Sequence, residues 1–157
     1  MATELKAVIR EPRDDEPGGK GVSQSTDFLS GNEAAARAAR DSGFHVMGYF
    51  PITPSTEVAE SLSKMQAAGE HDIVMIPADG EHGAAGICYG AALVGRRVFN
   101  ATSSKGLLYA LDQVAVQSST RVTIVLNVAT RAISGPLDIR CDHSDIYFAL
   151  NTGWIIL

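Results

Sequence analysis

Three hydroxyl-bearing side chains cluster on a corner stiffened by two prolines, within "GYFPITPST" at residues 48–56. They are Thr53, Ser55 and Thr56, and the apolar run just before them is typical of a strand. Proline fixes its own φ and restricts the residue before it, so the backbone of this corner has little freedom to lose when a ligand binds. The corner is therefore a candidate binding element.

Two charged side chains also follow predicted strands. Glu81 opens a helix, "EHGAAGICYGAALVG", and by position alone it is a first-turn carboxylate that the helix dipole stabilises. Arg131 follows "LNVAT" and is either a surface cation or a bidentate partner for a carboxylate.

The segment "CDHSD" at residues 141–145 carries possible metal ligands, Asp142, His143 and Asp145. Their spacing fits no standard ligand set, and helix capping by Asp142 or Ser144 is the favoured interpretation. No Ser–His–Asp triad can be argued from the order of residues along the chain.

Strand-like apolar runs alternate with helical segments. The predicted strands are "HVMGYF", "DIVMIPA", "RVFNATS" and the long buried "RVTIVLNVAT". The predicted helices are "GNEAAARAARDSG" capped by Asn32, "STEVAESLSKMQAAG", the helix that Glu81 opens, and "KGLLYALDQVAVQ". This alternation predicts an α/β three-layer sandwich, with helices on both faces of a parallel sheet. Ligands in such folds bind beyond the carboxyl ends of the strands, so Thr53, Glu81, Ser103 and Arg131 are expected on one rim.

The helix from Glu81 is unusually rich in glycine and alanine. Either it packs closely on a neighbouring element, or a flat ligand or partner subunit approaches it. Its G-x-x-G-x-x-G spacing matches neither the dinucleotide fingerprint nor the phosphate loop.

Composition narrows the class of protein. The chain has 157 residues, 45% of them hydrophobic, and a net charge of −5, which argues against nucleic acid binding. No apolar run reaches the ~18 residues of a membrane helix, so a cytoplasmic protein without a membrane partner is expected.

The two cysteines, Cys88 and Cys141, are too few to hold an iron–sulfur cluster and are interpreted as small buried hydrophobes. Residues 1–25 contain a Pro-, Gly- and charge-rich stretch and are interpreted as a flexible arm, and the apolar "WIIL" at the end as a buried strand.

Six segments in one order resemble the N-terminal domain of 2-oxoacid:ferredoxin oxidoreductase alpha subunits. They are "GNEAAARAA", "YFPITPST", "GEHGAAGICYGAALVG", "NATSSKGL", "VATRA" and "DHSDIYFALNTGWIIL". The resemblance implies that residues 26–157 bind the aminopyrimidine half of thiamine diphosphate. Chains of this family continue past "WIIL", so the domain is expected to be truncated at its C-terminus.

The resemblance also assigns roles. Thr53 would point its hydroxyl at the 2-oxoacid, Arg131 would pair with the substrate carboxylate, and Glu81 would bond the pyrimidine N1′. The further residues implied to line the cofactor are Pro51, Ile52 and Gly80.

The rest of the enzyme is expected elsewhere. The sequence has no Gly-Asp-Gly segment followed by asparagine, so a beta subunit would hold the diphosphate and Mg²⁺. Iron–sulfur clusters would lie on other subunits or domains, and ferredoxin and coenzyme A would be further partners. Cys141 stands where the family usually has glycine. A non-catalytic interaction module and a different thiamine-dependent decarboxylase half-site remain alternatives.

Overall fold

The computed structural model describes residues 27–133 and 135–157, and the predicted arm at 1–25 lies outside them. The strands are β1 Val46–Tyr49, β2 Val74–Pro77, β3 Val98–Thr102 and β4 Ile124–Val128. The helices are α1 Gly31–Asp41, α2 Thr56–Ala67, α3 Glu81–Leu93, α4 Ser104–Tyr109, α5 Leu111–Ser119 and α6 Ser144–Tyr147. None of the helices in the described ranges is long and apolar enough to cross a bilayer.

All four strands are parallel and lie in the order β2-β1-β3-β4. One face is covered by α1 and α2, whose alanines and leucine pack on Met47 and Phe99. The other face is covered by α3, where Cys88 and Ala92 pack on Val98. Helices on both faces confirm the predicted three-layer sandwich.

The small residues of α3 allow a close approach to the sheet at Gly48 of β1. A Cβ at Gly48 would lie 2.6 Å from the Ala84 carbonyl oxygen and 3.1 Å from the Cys88 sulfur. Gly86 and Gly90 have open space instead. Close packing therefore explains the side of α3 that meets β1, and it does not explain Gly86 and Gly90.

Burial differs from the sequence expectation at both sheet edges. Val74 in β2 is 55% exposed and Val125 in β4 is 48% exposed, because each belongs to an edge strand with neighbours on one side only. The predicted long strand over "RVTIVLNVAT" is only the five residues of β4. The predicted strand "WIIL" is wrong: these residues form no regular structure, and Ile155 and Leu157 are exposed.

The predicted helix "KGLLYALDQVAVQ" is divided at Ala110 into α4 and α5. Leu107 of α4 and Val114 of α5 both pack in the core beside Ala149.

The two cysteines differ. Cys88 is fully buried, and this desolvation raises the pKa of its thiol to about 12. Cys141 is exposed, contrary to expectation. Its φ is not positive, so a cysteine in place of the family's glycine causes no backbone strain.

Candidate functional site

The candidate site lies where the strand order reverses. Along the chain the sheet grows from β1 outward to β2, then returns past β1 to β3 and β4. In open parallel sheets, the loops after the two strands at such a reversal flank a crevice that binds ligands. Here those loops begin after Tyr49 and Thr102.

The corner after β1 is closed by its own hydrogen bonds. The Ser55 hydroxyl donates to the Ile52 carbonyl oxygen at 2.9 Å, and the Thr56 N–H donates to the same oxygen at 3.1 Å. Ser55 is buried, whereas Pro51 and Thr53 are exposed at the rim. The local bonds leave the Thr53 side chain facing outward on a fixed backbone.

Asn32 ties α1 to this corner. Its amide nitrogen donates to the Pro54 carbonyl oxygen at 2.8 Å and to Glu57 Oε2 at 3.0 Å. The predicted capping role of Asn32 is wrong, because Ser30 caps α1 through a reciprocal pair of bonds with Glu33. The Ser30 N–H bond to Glu33 lowers the pKa of that carboxyl. The sequence signal for this box, Ser-x-x-Glu at 30–33, was present and was missed.

Arg131 is buried at the rim and contacts the corner. Only 6% of its surface is exposed, and Nη1 donates to the Thr53 carbonyl oxygen at 2.8 Å. Its Nε is buried and has no hydrogen-bond partner in the described part of the chain. Arg131 is therefore not a surface cation. It presents an unsatisfied donor beside Thr53.

Asp145 was missed as a site residue. Its carboxylate is fully buried, and Oδ2 accepts from the N–H groups of Ser104 at 2.8 Å and Arg131 at 3.0 Å. Asp142, which the sequence favoured as a cap, accepts from the Ser144 N–H at 2.7 Å, and its bonds to Ser144 lower the pKa of the Asp142 carboxyl. The N-cap position of α6 is His143, without a side-chain cap bond, so the capping role of Ser144 is wrong.

No group of three or more His, Cys, Asp or Glu side chains within 27–133 and 135–157 could hold a metal ion. The carboxylates of Asp142 and Asp145 instead accept bonds from backbone N–H groups.

Glu81 begins α3 and faces inward beside Gly106 of α4. A Cβ at Gly106 would lie 2.7 Å from both Glu81 Oε1 and Thr102 Oγ1. Glu81 and Thr102, with Phe50 and Asn100, line a cavity of about 10 Å³, roughly the space of one water molecule. Asn100 Oδ1 and Thr102 Oγ1 are buried without a partner among the described residues. Polar groups of the chain thus surround a carboxylate that accepts no hydrogen bond from them.

Gly80, the residue before α3, is buried against an aromatic ring. A Cβ there would lie 3.1 Å from Tyr109 Cε1. The structure thus brings Thr53 and Arg131 into contact and places Glu81 beside Phe50, three residues before Thr53. Gly80 faces Tyr109.

A larger groove lies elsewhere. It has a volume of about 840 Å³ and runs along β4, lined by apolar residues that include Leu126, Ile146 and Trp154. None of the six predicted site residues lines it. The chemistry-bearing residues therefore favour the rim, and not this groove, as the candidate site.

Comparison with known proteins places the chain in a family. Residues 37–157 match the family model described as pyruvate flavodoxin/ferredoxin oxidoreductase, thiamine diphosphate-binding. The chain belongs to this oxidoreductase family. The resemblance seen in the six sequence segments is thereby confirmed.

Curated relatives agree with the family match. The chain is 40% identical over 127 residues to pyruvate synthase subunit PorA of Methanocaldococcus jannaschii, covering 81% of this chain and 33% of that protein. It is 40% identical over 129 residues to the PorA subunit of Thermotoga maritima, covering 82% and 33%. It is 38% identical over 127 residues to ketoisovalerate oxidoreductase subunit VorA of Pyrococcus horikoshii, covering 81% and 32%. The chain spans about a third of the length of these relatives.

A solved structure has the same fold. It is a 2-oxoglutarate:ferredoxin oxidoreductase from Magnetococcus marinus with 2-oxoglutarate, coenzyme A and succinyl-CoA bound. The TM-score is 0.61 at 24% identity, over 69% of this chain and 18% of that one. At 24% identity, this structural likeness supports the assignment of the fold alone.

Proposed function

We propose that this chain supplies the pyrimidine-binding half of a thiamine diphosphate site in a 2-oxoacid:ferredoxin oxidoreductase. The observation that carries the proposal is the buried Arg131, whose guanidinium bonds the Thr53 carbonyl oxygen and whose Nε has no hydrogen-bond partner among the described residues. A desolvated guanidinium with an unsatisfied donor is suited to a carboxylate ligand.

The roles of the two rim residues follow from their chemistry. Arg131 binds the carboxylate of the 2-oxoacid, and the Thr53 hydroxyl, on its closed corner, donates to the substrate. Because the Arg131 guanidinium and the backbone of the corner are held by protein bonds, little conformational entropy is lost when the substrate binds.

Glu81 is suited to the pyrimidine ring of the cofactor. Its carboxylate is half-buried and accepts no hydrogen bond from another described residue, so it remains available to a ring nitrogen. Pro51 and Ile52, on the corner after β1, would line the same cofactor half-site, and Gly80 is the residue that precedes α3. Bound thiamine diphosphate supplies the electron sink for decarboxylation of a 2-oxoacid. Glu81 holds and shares the proton at the ring nitrogen.

The remaining parts of the enzyme belong to the same proposal. A beta subunit would carry the diphosphate and Mg²⁺ site, and iron–sulfur clusters would lie on partner subunits or domains. Ferredoxin would accept the electrons and coenzyme A the acyl group. The names of the relatives include pyruvate and ketoisovalerate enzymes, so the oxoacid itself is not assigned. A cytoplasmic location is part of this proposal.

The test is 2-oxoacid-dependent reduction of a viologen dye by the assembled enzyme, with Thr53→Val as the variant. Valine keeps the shape and leaves the backbone carbonyl that Arg131 bonds. Loss of one hydroxyl bond to substrate is expected to lower kcat/KM by about tenfold.

Thr56→Val is the matched control, because Thr56 lies in the same corner and its side chain has no assigned role. An assembled wild-type enzyme that reduces no dye with any 2-oxoacid would favour the non-catalytic interaction module. Equal kcat/KM in Thr53→Val and wild type would remove Thr53 from the substrate site.

A further inference from the structure

The Asp145 carboxylate joins three segments of the chain. Its Oδ2 accepts from Ser104 N–H and Arg131 N–H, and its Oδ1 accepts from Ile146 N–H at 2.8 Å. The residue has no exposed surface. A buried carboxylate that accepts several N–H bonds is strongly held, because bonds to a charged acceptor are about twice as strong as neutral ones.

The segments that meet at Asp145 follow adjacent strands. Ser104 begins α4, two residues after the end of β3, and has a φ of 45°, which is unfavourable for a residue other than glycine. Its hydroxyl donates to the Ala132 carbonyl oxygen at 3.0 Å. The loop after β3 is thus bonded to the loop after β4 both through Asp145 and directly.

From Arg131 the connection continues to the corner after β1. Asp145 bonds the backbone N–H of Arg131, and the guanidinium of Arg131 bonds the Thr53 carbonyl oxygen at 2.8 Å. The position of the guanidinium therefore depends on a backbone that Asp145 holds.

We infer that Asp145 is a positioning residue that fixes the Arg131 backbone so that the guanidinium meets the carboxylate of a 2-oxoacid. This inference rests on the proposed function of Arg131. The competing interpretation is that Asp145 only stabilises the fold, and the two differ in whether its loss acts through Arg131.

The experiment compares Asp145→Asn with wild type in the assembled, cofactor-loaded enzyme. The amide has the same shape, but its NH₂ group cannot accept an N–H bond and it carries no charge. The expected result is a rise in the KM for the 2-oxoacid of about tenfold, within the range for residues in one hydrogen-bond network, with kcat changed less than about twofold. Asp142→Asn is the matched control, since Asp142 bonds only Ser144 among these residues, and its KM should match wild type.

A double-mutant cycle with Arg131→Ala distinguishes the two interpretations. If Asp145 acts through Arg131, adding Asp145→Asn to Arg131→Ala leaves the KM unchanged from that of Arg131→Ala alone. An equal rise in KM in both backgrounds, or no rise in either, would overturn the inference. A wild-type enzyme without 2-oxoacid activity would instead contradict the proposed function, so the two failures differ.

A measurement on the wild type covers the case in which Asp145→Asn fails to assemble. Coupling is reciprocal, so occupation of Arg131 by a carboxylate should strengthen the bonds at Asp145. Oxamate, an unreactive 2-oxo carboxylate, added at a concentration that halves turnover should slow hydrogen exchange at the Ser104 and Arg131 amides by at least about threefold. Unchanged exchange at both amides would contradict the inference.

Discussion

The two charged side chains at the rim are held in opposite ways. Arg131 is fixed at both ends, by Asp145 at its backbone and by the Thr53 carbonyl oxygen at its guanidinium. Glu81 is fixed only by its place at the start of α3, and its carboxylate accepts no hydrogen bond from the described residues beside it.

The difference separates two tasks. A group that orients a substrate works best when its geometry is set in advance, because the entropy is already lost. A group that shares a proton with a ligand must keep its oxygens free for that ligand. The bonded Arg131 and the free Glu81 match these two requirements, and the following variants test the contrast.

The largest effect is expected from Glu81→Gln in the assembled enzyme. The amide keeps the shape beside Gly106 but cannot share a proton, and general acid–base groups contribute about 10²–10⁴ in rate. Dye reduction should fall by that factor, and exchange of the cofactor C2 proton, followed by NMR, should slow in parallel. Glu60→Gln, at an exposed position of α2, is the control. Rates within about threefold of wild type would make Glu81 only a helix-start carboxylate.

Arg131→Ala should cost about 2–5 kcal/mol in kcat/KM, the range for truncation of one partner of a desolvated charge pair. The loss should appear mainly as a raised KM for the oxoacid, with cofactor affinity less affected, as measured by steady-state kinetics and calorimetry. Arg140→Ala removes an exposed arginine paired with Asp138 and should leave the kinetics unchanged. Normal oxoacid kinetics in Arg131→Ala would show a purely structural role.

Gly106→Ala should disturb the position of the Glu81 side chain and leave Arg131 unaffected. The added Cβ would meet Glu81 Oε1 and Thr102 Oγ1 at 2.7 Å, so the Glu81 side chain must move. Overpacking of this kind costs about 1–3 kcal/mol, and turnover should fall while the KM for the oxoacid stays near wild type. Gly31→Ala at the start of α1, where a Cβ also meets nothing within 4 Å, is the control and should retain activity. Equal activity in both variants would show that the inward position of Glu81 is irrelevant.

The smallest effect is expected from Asn32→Ala. This change removes the hydrogen bonds by which α1 holds Pro54 and Glu57. The free energy of unfolding should fall by about 0.5–1.5 kcal/mol in denaturant titrations, as for loss of a typical hydrogen bond. Asn151→Ala, an exposed asparagine, should change it little. Unchanged stability in Asn32→Ala would mean that the corner is closed by its local bonds alone.

The sequence predicted the layered fold and the family because both depend on patterns along the chain. Alternating apolar runs and helices specify the sandwich, and six segments in order specify the family. The sequence also contains the local pattern of the Ser30–Glu33 capping box, whereas the predicted cap was Asn32. The Asn32 amide instead makes a tertiary contact with the Pro54 carbonyl oxygen, 22 positions away along the chain.

Other features could not be predicted because they depend on strand order. An apolar run such as "DIVMIPA" does not reveal that β2 lies at an edge, and "RVTIVLNVAT" does not reveal that only one side of β4 is paired. Asp145 stood out in the sequence only as a possible metal ligand, and its bond to Ser104 joins positions 41 apart in the chain. The proposed roles of Thr53, Glu81 and Arg131 came from the resemblance and stay predictions.

The bond between Arg131 and Thr53 has a consequence for folding kinetics. It joins residues 78 positions apart, and the chain between them contains β2, β3 and β4. The loss of chain entropy on closing so long a segment is large until the intervening strands have paired. We therefore expect the contact between Arg131 and Thr53 to form late in folding. Partly folded chains would then lack the proposed oxoacid-binding pair even when most secondary structure is present.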